Sequence, residues 1–264
     1  MSRPNKPQPG FNPGNRPRRG GHRDADAAIA GVLTLDKPYG ISSMTAVSEV
    51  RRRAAGARTG HAGTLDPRAT GVLVIAIGSA TKLIDQLMAT DKRYRTTIDC
   101  SAFTTTDDME GERTEVPVAS PPDETAVQRA LERFVGAIMQ KPPAFSAVKI
   151  DGKRAYAMAR KGEAVVVKPR EVKVHSIELI RYAWPMVEID IHCGKGFYVR
   201  SLARDLGEAL GTGGHCAAIR RTAVGPFTLD QAVRLEDVPN PLLQSHLIPP
   251  DDALLMVRQS AGGM

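Results

Sequence analysis

The sequence has few of the features that mark secreted or membrane proteins. Its three cysteines, Cys100, Cys193 and Cys216, are too few and too widely spaced for a disulfide framework or a CxxC metal site. No apolar run approaches the roughly 20 residues that cross a bilayer. The first residues also lack the basic-then-apolar pattern of a secretory signal. We therefore expect a cytoplasmic protein that does not span a membrane.

Negative charge is scarce in two segments, although the net charge of the whole chain is only +7. Residues 1–23 contain six basic residues and no acidic residue. Residues 141–170 contain eight basic and two acidic residues. The rest of the chain carries an excess of acidic residues. A basic segment on an otherwise balanced body predicts a polyanionic partner that is contacted at one place.

Composition divides the chain into a tail and one domain. Residues 1–26 are rich in proline, glycine, asparagine and arginine and have almost no large apolar side chains, so we expect a disordered basic tail. Both a solubilising extension and an electrostatic tether to RNA fit this composition. Residues 27–257 form the predicted domain, and residues 258–264 form a short C-terminal tail.

Apolar periodicity predicts a mixed α/β domain of the α+β class. Strands are predicted at Val32–Leu35, Gly71–Ile77, Tyr94–Ile98, Val172–Leu179 (with a change of phase between Val174 and Ile177), Val187–Ile191 and Ala223–Leu229. Helices are predicted after the N-cap candidates Ser42 and Ser43, over Leu83–Met88, after Asp123, and over Leu202–Leu210. The elements lack a regular βαβ rhythm, which favours a mixed sheet with packed helices.

Residues 60–71 (Gly-His-Ala-Gly-Thr-Leu-Asp-Pro-Arg-Ala-Thr-Gly) form a loop before a buried strand. Pro67 disfavours helical backbone at Asp66, so the Asp66 carboxylate is expected on an extended, rigid backbone. A rigid loop at a strand entrance is a suitable place to present an acid to a ligand. The residues alone favour the alternative, a turn in which Asp66 bonds its own backbone.

This loop resembles the active-site signature of pseudouridine synthases of the TruB type. Further segments resemble that family's motifs in the same order, and together they cover about residues 29–257. They are the opening motif at residues 31–43, the tyrosine motif at 92–94, the RNA-gripping insertion at 145–156, the arginine motif at 193–200 and the last core motif at 220–225. The resemblance implies the pseudouridine synthase fold, with a mixed, largely antiparallel sheet flanked by helices.

The resemblance also implies catalytic residues. Asp66 occupies the position of the family's catalytic aspartate, and Arg200 the position of its cationic partner. Tyr94 matches the aromatic residue that stacks on the target base and is a candidate proton acceptor, although its alternation alone favours a core aromatic. The implied reaction is isomerisation of uridine to pseudouridine at position 55 in the tRNA T loop. It requires no cofactor.

Other positions are implied to bind the RNA. His61 matches the histidine that supports an extruded nucleotide, although a hydrogen-bonded turn residue is the alternative. Ile219 falls where the family packs an apolar residue near the base, and Lys37 belongs to the opening motif, where a structural role is the alternative. The remaining expected substrate-binding residues are Tyr198 in the arginine motif and Lys149, Lys153 and Arg154 in the basic segment.

Partners, metals and rival functions complete the expectations. We expect the tRNA T stem-loop as partner, a monomer, and no C-terminal PUA-type RNA-binding domain after residue 257. The pairs His192-Cys193 and His215-Cys216 are poorly placed to share one ion, because neighbours on a strand point to opposite faces, so no metal is expected. The alternatives are a tRNA-folding or RNA-binding factor, a synthase acting on another RNA, and a base-excising hydrolase.

Overall fold

The computed structural model describes residues 29–143, 149–150, 153–154 and 167–262. The predicted tail at residues 1–26 and most of the basic segment at 141–170 lie outside the described residues. The α-helices in the described part are α1 (Ser43–Arg53), α2 (Ile84–Ala89), α3 (Glu124–Glu132), α4 (Val199–Leu210) and α5 (Pro250–Gly262).

The strands in the described part are β1 (Gly31–Lys37), β2 (Thr59–His61), β3 (Thr70–Ile77), β4 (Lys92–Asp99), β5 (Ala102–Thr104), β6 (Arg113–Glu115), β7 (Gly136–Gln140), β8 (Lys149–Ile150), β9 (Lys153–Arg154), β10 (Arg170–Ala183), β11 (Met186–Cys193), β12 (His215–Val224), β13 (Phe227–Thr228) and β14 (Val233–Arg234).

Ten of these strands form one large sheet. Its order is β14-β1-β3-β12-β4-β11-β10-β7, with β2 added to β3 and β13 added to β12. The pairs β1–β14 and β3–β12 are parallel, and the other pairs are antiparallel. Two small ribbons, β5–β6 and β8–β9, stand apart from it. The predicted mixed, largely antiparallel fold class is confirmed.

Strand β3 is apolar from Gly71 to Ile77, and both of its faces are covered there. Leu73, Ile75 and Ile77 enter a core cluster with the buried face of α1. Val72 and Val74 enter a different cluster on the other side of the sheet. A strand covered on both faces has no polar alternation, which explains the continuous apolar run in the sequence.

Helix α1 begins where the sequence predicted. The Ser42 hydroxyl oxygen accepts a hydrogen bond from the Thr45 backbone N–H at 3.0 Å, so Ser42 is the N-cap. Ala46, Val47 and Val50 are buried beneath the helix, as expected for an amphipathic stripe. The helix fixes the segment that precedes β2 and the Asp66 loop.

The change of phase predicted in β10 is a β-bulge. The register with β11 shifts between Val174 and Ser176, which leaves His175 as the extra residue. Val174 faces the core before the bulge, and Ile177 packs against the same core after it. His175 and Ser176 therefore both lie on the outer face of the sheet.

The first part of β12 was not predicted from the sequence. Residues 215–222 show no clear alternation, and they include Arg221, which is only 2% exposed. Burial of an arginine is uncommon and is not signalled by local pattern. Strand β12 lies between β3 and β4 and thus joins the two halves of the sheet. In the part of the chain that the structure describes, no helix is long and apolar enough to cross a membrane.

Candidate active site

The Asp66 loop is held on both sides of Asp66 by hydrogen bonds to Ser43 and Gly40. The Ser43 hydroxyl donates to the Leu65 carbonyl oxygen and accepts from the Leu65 N–H, both at 2.8 Å. The Pro67 carbonyl oxygen accepts from the Gly40 N–H at 2.9 Å. These bonds fix the backbone immediately before and after Asp66, so the carboxylate has a defined direction.

Lys37 holds the Asp66 loop from the interior of the protein. Its side chain is fully buried, and its ammonium donates to the carbonyl oxygens of Pro38 at 2.9 Å, Ile41 at 2.8 Å and Pro67 at 3.2 Å. Burial lowers the pKa of Lys37 to about 8, and the nearby Asp66 carboxylate opposes that shift. The geometry favours a positioning role for Lys37 over direct contact with a substrate.

Arg200 meets the Asp66 carboxylate from the first turn of α4. Arg200 Nη2 lies 3.0 Å from Asp66 Oδ2, and Nη1 lies 3.3 Å from Asp108 Oδ2 and donates to the Thr106 carbonyl oxygen at 3.1 Å. The Arg200 side chain is 7% exposed, whereas that of Asp66 is 42% exposed. The guanidinium is thus fixed in the protein while the carboxylate stays open to a ligand.

The pKa of Asp66 is raised above its ordinary value of 3.8. Burial is the largest cause, and the negative charge of Asp108 adds to it. Arg200, Lys37 and Arg221 oppose the shift because their positive charges favour the carboxylate. The pKa of Asp66 is therefore higher than that of an aspartate in a simple ion pair, although three cations act on its carboxylate.

The open side of Asp66 faces a shallow cleft. The cleft is lined by Tyr39, Asp66, Arg68, Ala69, Asp108, Met109, Cys216, Ala217, Ala218 and Ile219. Ile219 and Asp66, which are far apart in the sequence, thus share one cleft. Its lining places apolar and polar side chains together beside the carboxylate.

Tyr94 lies in β4, close to the same group of charges. It packs against the core cluster that also receives Ile219. Burial raises the pKa of Tyr94, while the charge of Arg221 and a hydrogen bond to it act in the opposite direction. The resting phenol therefore stays protonated, and Tyr94 packs in the core beside the cleft residue Ile219 without being among the residues that line the cleft.

Arg221 connects several of these residues and was missed from the sequence. Its Nε donates to the Val72 carbonyl oxygen at 2.7 Å, and Nη2 donates to the Gly63 carbonyl oxygen at 3.1 Å. Its charge acts on Asp66 and Tyr94. Asp108 and Thr106, which hold Arg200, were also missed, because a short loop between small strands gives no sequence signal for the residue it will contact.

The predicted residues His61 and Tyr198 are not among the residues that line the cleft. His61 is partly buried in β2, and burial and the charge of Arg221 lower its pKa. Tyr198 is the N-cap residue of α4, and the Arg170 guanidinium stacks over its ring at 5.1 Å. The structure gives the backbones of Lys149, Lys153 and Arg154 in the β8–β9 ribbon, but their side chains lie outside the described part.

The two His-Cys pairs do not converge, as their spacing predicted. Cys193 is buried in the core, whereas His192 lies on the outer face of β11. His215 is buried and uses Nδ1 in a hydrogen bond of 2.8 Å with the Ala102 carbonyl oxygen. Burial also raises the pKa of Cys193 to about 12, so this thiol stays protonated.

Comparisons with known proteins give matches over most of the chain. Residues 51–199 match the family model "TruB family pseudouridylate synthase (N terminal domain)", and residues 200–255 match "tRNA pseudouridylate synthase B C-terminal domain". The tRNA pseudouridine synthase B of Corynebacterium diphtheriae is 47% identical over 79% of this chain and 72% of its own length. That of Dinoroseobacter shibae is 46% identical over 89% of this chain and 78% of its own length.

A solved structure shows the same fold. The crystal structure of a Cbf5-Nop10-Gar1 complex contains a chain that matches 79% of this chain with a TM-score of 0.62 and 31% identity. The match covers 53% of that chain, so this protein spans about half of its length. From the two family models and the relatives that match over most of their length, the chain belongs to the TruB family of pseudouridylate synthases.

Proposed function

We propose that the protein is a tRNA pseudouridine synthase, an isomerase that converts uridine to pseudouridine at position 55 in the T loop of tRNA. Membership of the TruB family and the names of its relatives support the reaction and the class of RNA. The observation that carries the proposal is the Asp66–Arg200 pair, in which an open carboxylate is held by a buried guanidinium beside Ile219.

The reaction breaks the bond between ribose C1′ and uracil N1 and forms a bond between C1′ and C5. N1 gains a proton and C5 loses one, so the RNA keeps its mass and no redox cofactor is needed. Asp66 in our proposal acts on the ribose in the first step, either as a nucleophile at C1′ or by assisting formation of a glycal-like intermediate. Arg200 orients the carboxylate and keeps it ionised.

Neighbouring residues in our proposal hold the target nucleotide. A nucleotide in a folded loop must be extruded before its glycosidic bond can be reached, which costs a few kcal/mol. We assign Ile219 and Tyr94 to packing against the extruded base. We assign His61 to supporting the RNA from which that nucleotide is extruded. We assign Tyr198, Lys37, Lys149, Lys153 and Arg154 to the substrate-binding set. Lys37 acts in this set by positioning the Asp66 loop.

We further propose that residues 27–257 are the catalytic domain, with residues 141–170 gripping the phosphate backbone of the T stem-loop. Structured RNA is bound largely through shape and phosphate contacts, which suits this basic segment. One chain brings Asp66, Arg200 and Ile219 together, which supports a monomeric enzyme. A tRNA substrate favours a cytoplasmic location for the reaction.

The decisive experiment is incubation of the full chain with an unmodified tRNA transcript, followed by nucleoside mapping of the T loop. We expect pseudouridine at position 55 and its loss in Asp66→Asn. Asp85→Asn is the matched control because Asp85 is an exposed aspartate on α2, and it should retain full activity. Wild-type turnover by Asp66→Asn would overturn the assignment of Asp66.

The same experiment separates the rival functions. A base-excising hydrolase would release free uracil and leave an abasic RNA, whereas an isomerase releases nothing. Modification of another RNA with no change at position 55 would overturn the substrate assignment. Promotion of tRNA folding by a wild-type protein that makes no pseudouridine would favour the RNA-folding factor.

A further inference from the structure

Three potential metal ligands converge on the outer face of the sheet, away from the Asp66 cleft. Asp91 precedes β4, His175 lies at the bulge of β10, and His192 lies in β11. One donor atom from each residue lies within 4.8 Å of the others. No short sequence motif marks this group, because it forms only when three separate elements come together.

The register of the strands explains why these side chains meet. His192 pairs with Arg93, the residue after Lys92 at the start of β4, so Asp91 lies just beyond the end of the pairing. Alternation from the buried Val174 places His175 on the outer face, and the bulge leaves it there as an extra residue next to the strand that carries His192. The ring centroids of His175 and His192 are consequently 4.5 Å apart.

We propose that Asp91, His175 and His192 form a binding site for a divalent transition-metal ion of the zinc type. His175 Nε2 lies 3.0 Å from Asp91 Oδ2, and His192 Nε2 lies 3.6 Å from the same oxygen. Ligands at zinc–ligand distances of 2.0–2.1 Å in a tetrahedron are about 3.3 Å apart. The two observed distances lie on either side of that value.

Hydrogen bonds among the described residues do not account for every nitrogen of this Asp91–His175–His192 cluster. His175 Nε2 is inaccessible to solvent and has no hydrogen-bond partner of acceptable geometry among the described residues. It nevertheless faces the Asp91 carboxylate at hydrogen-bond distance. The nitrogen therefore approaches the carboxylate oxygen without directing an N–H bond at it. Two ligands of one metal ion approach each other in the same way, because each directs a lone pair at the ion.

The number and exposure of the ligands define the kind of site. The three side chains are 18–26% exposed, so the remaining coordination position is open to water or another oxygen ligand. Two imidazoles and one carboxylate with an open position match zinc and similar first-row ions better than magnesium or calcium. The positive charge of Arg93, which acts on His192, makes the site weaker than a closed four-ligand zinc site.

The site would join strands β10 and β11 to the residue that precedes β4. Asp91 is itself fixed, because its carbonyl oxygen accepts from the Gly225 N–H at 2.8 Å. A ligand that binds only the folded chain raises its stability in proportion to the logarithm of ligand concentration. A bound ion is therefore expected to stabilise the β4–β11–β10 part of the sheet without entering the chemistry at Asp66.

The test uses the full chain without an affinity tag, treated with a chelator and then titrated with ZnCl₂ or CoCl₂ alone. We expect one equivalent to bind by calorimetry, a rise in the melting temperature, and tetrahedral absorption bands for Co²⁺. His175→Gln, His192→Gln and Asp91→Asn should each weaken binding at least tenfold. His246→Gln is the matched control because His246 lies in a distant turn, and it should bind as the wild type does.

Circular dichroism of each variant shows whether it is folded, and three independent variants keep the test valid if one of them is not. Absence of binding to the wild-type chain would overturn the proposal. Binding that survives in both histidine variants would also overturn it, because the ion would then lie elsewhere. Neither result bears on pseudouridine formation, which is measured with RNA and without added metal.

Discussion

Asp66 combines two demands that oppose each other. A carboxylate must be partly desolvated to act on a ribose, and desolvation raises its pKa. The protein limits this shift with Arg200, Lys37 and Arg221, which all favour the charged form. Asp108 works against them, although it also holds Arg200 in place. The ionisation of Asp66 is therefore set by several neighbours and not by the ion pair alone.

This balance predicts the acid side of the pH profile. Because the proposed reaction needs an ionised Asp66, activity should rise with pH through the raised pKa of Asp66, at a pH above its ordinary value of 3.8. Asp108→Asn removes one cause of the upward shift while keeping an oxygen near Arg200. The acidic limb of kcat/KM should therefore move to lower pH in this variant. A limb that moves upward or stays in place would contradict the assignment.

Arg200 should not be replaceable by lysine. Its planar guanidinium reaches the carboxylates of Asp66 and Asp108 and the Thr106 carbonyl together, which an ammonium group cannot do. Loss of one hydrogen bond to a charged group costs about 1.5–3 kcal/mol, or about 10- to 150-fold in rate. We expect a fall of that size in kcat for Arg200→Lys. Arg129→Lys, on the exposed face of α3, is the control and should be neutral.

At the scale of the secondary-structure elements, a substitution at Gly71 tests how closely β3 and β12 must pack. Its φ is +100°, and a Cβ there would lie 2.2 Å from the Arg221 carbonyl oxygen. Gly71→Ala should therefore displace β12 and lower the melting temperature, with a loss above about 3 kcal/mol. Gly56 is the control because its φ is +81° and a Cβ there would meet no other atom within 4 Å. Gly56→Ala should cost only the backbone strain of about 1–2 kcal/mol.

Local patterns predicted the elements whose own residues carry a cap, a continuous apolar run or a regular alternation. Ser42 capped a helix, β3 was continuously apolar, and the change of phase in β10 marked a real bulge. Strand β12 was predicted only at its end, because its buried Arg221 breaks the expected alternation. Its place in the sheet depends on distant partners in β3 and β4, and no local signal reports such partners.

The candidate site divides in the same way. The Asp66 loop was recognisable from its glycines and proline, and its resemblance to the TruB signature identified Arg200 as the partner. Asp108 and Arg221 could not be assigned, because their contacts join segments about 90 to 160 residues apart. A carboxylate or guanidinium acquires such a role only when folding removes it from water beside another charge.

At the scale of the whole molecule, the two family models divide the chain at a point where the structure has no boundary. The first family model ends at Val199 and the second begins at Arg200, so the division falls in the first turn of α4. Strand β12 from the C-terminal part lies between β3 and β4 from the N-terminal part. Asp66 and Arg200 therefore come from different family segments but belong to one sheet-centred site.

Binding of tRNA should depend on the basic segment through electrostatics. Replacing Lys153, Arg154 and Arg160 with glutamine removes three positive charges from residues 141–170. If each contacts a phosphate, binding should weaken and the negative slope of log K against log salt should become shallower by about two to three. The control replaces three exposed bases outside that segment, Lys82, Arg129 and Arg133. It removes the same net charge, so an equal change of slope in both triple variants would show a general charge effect and not a localised grip on RNA.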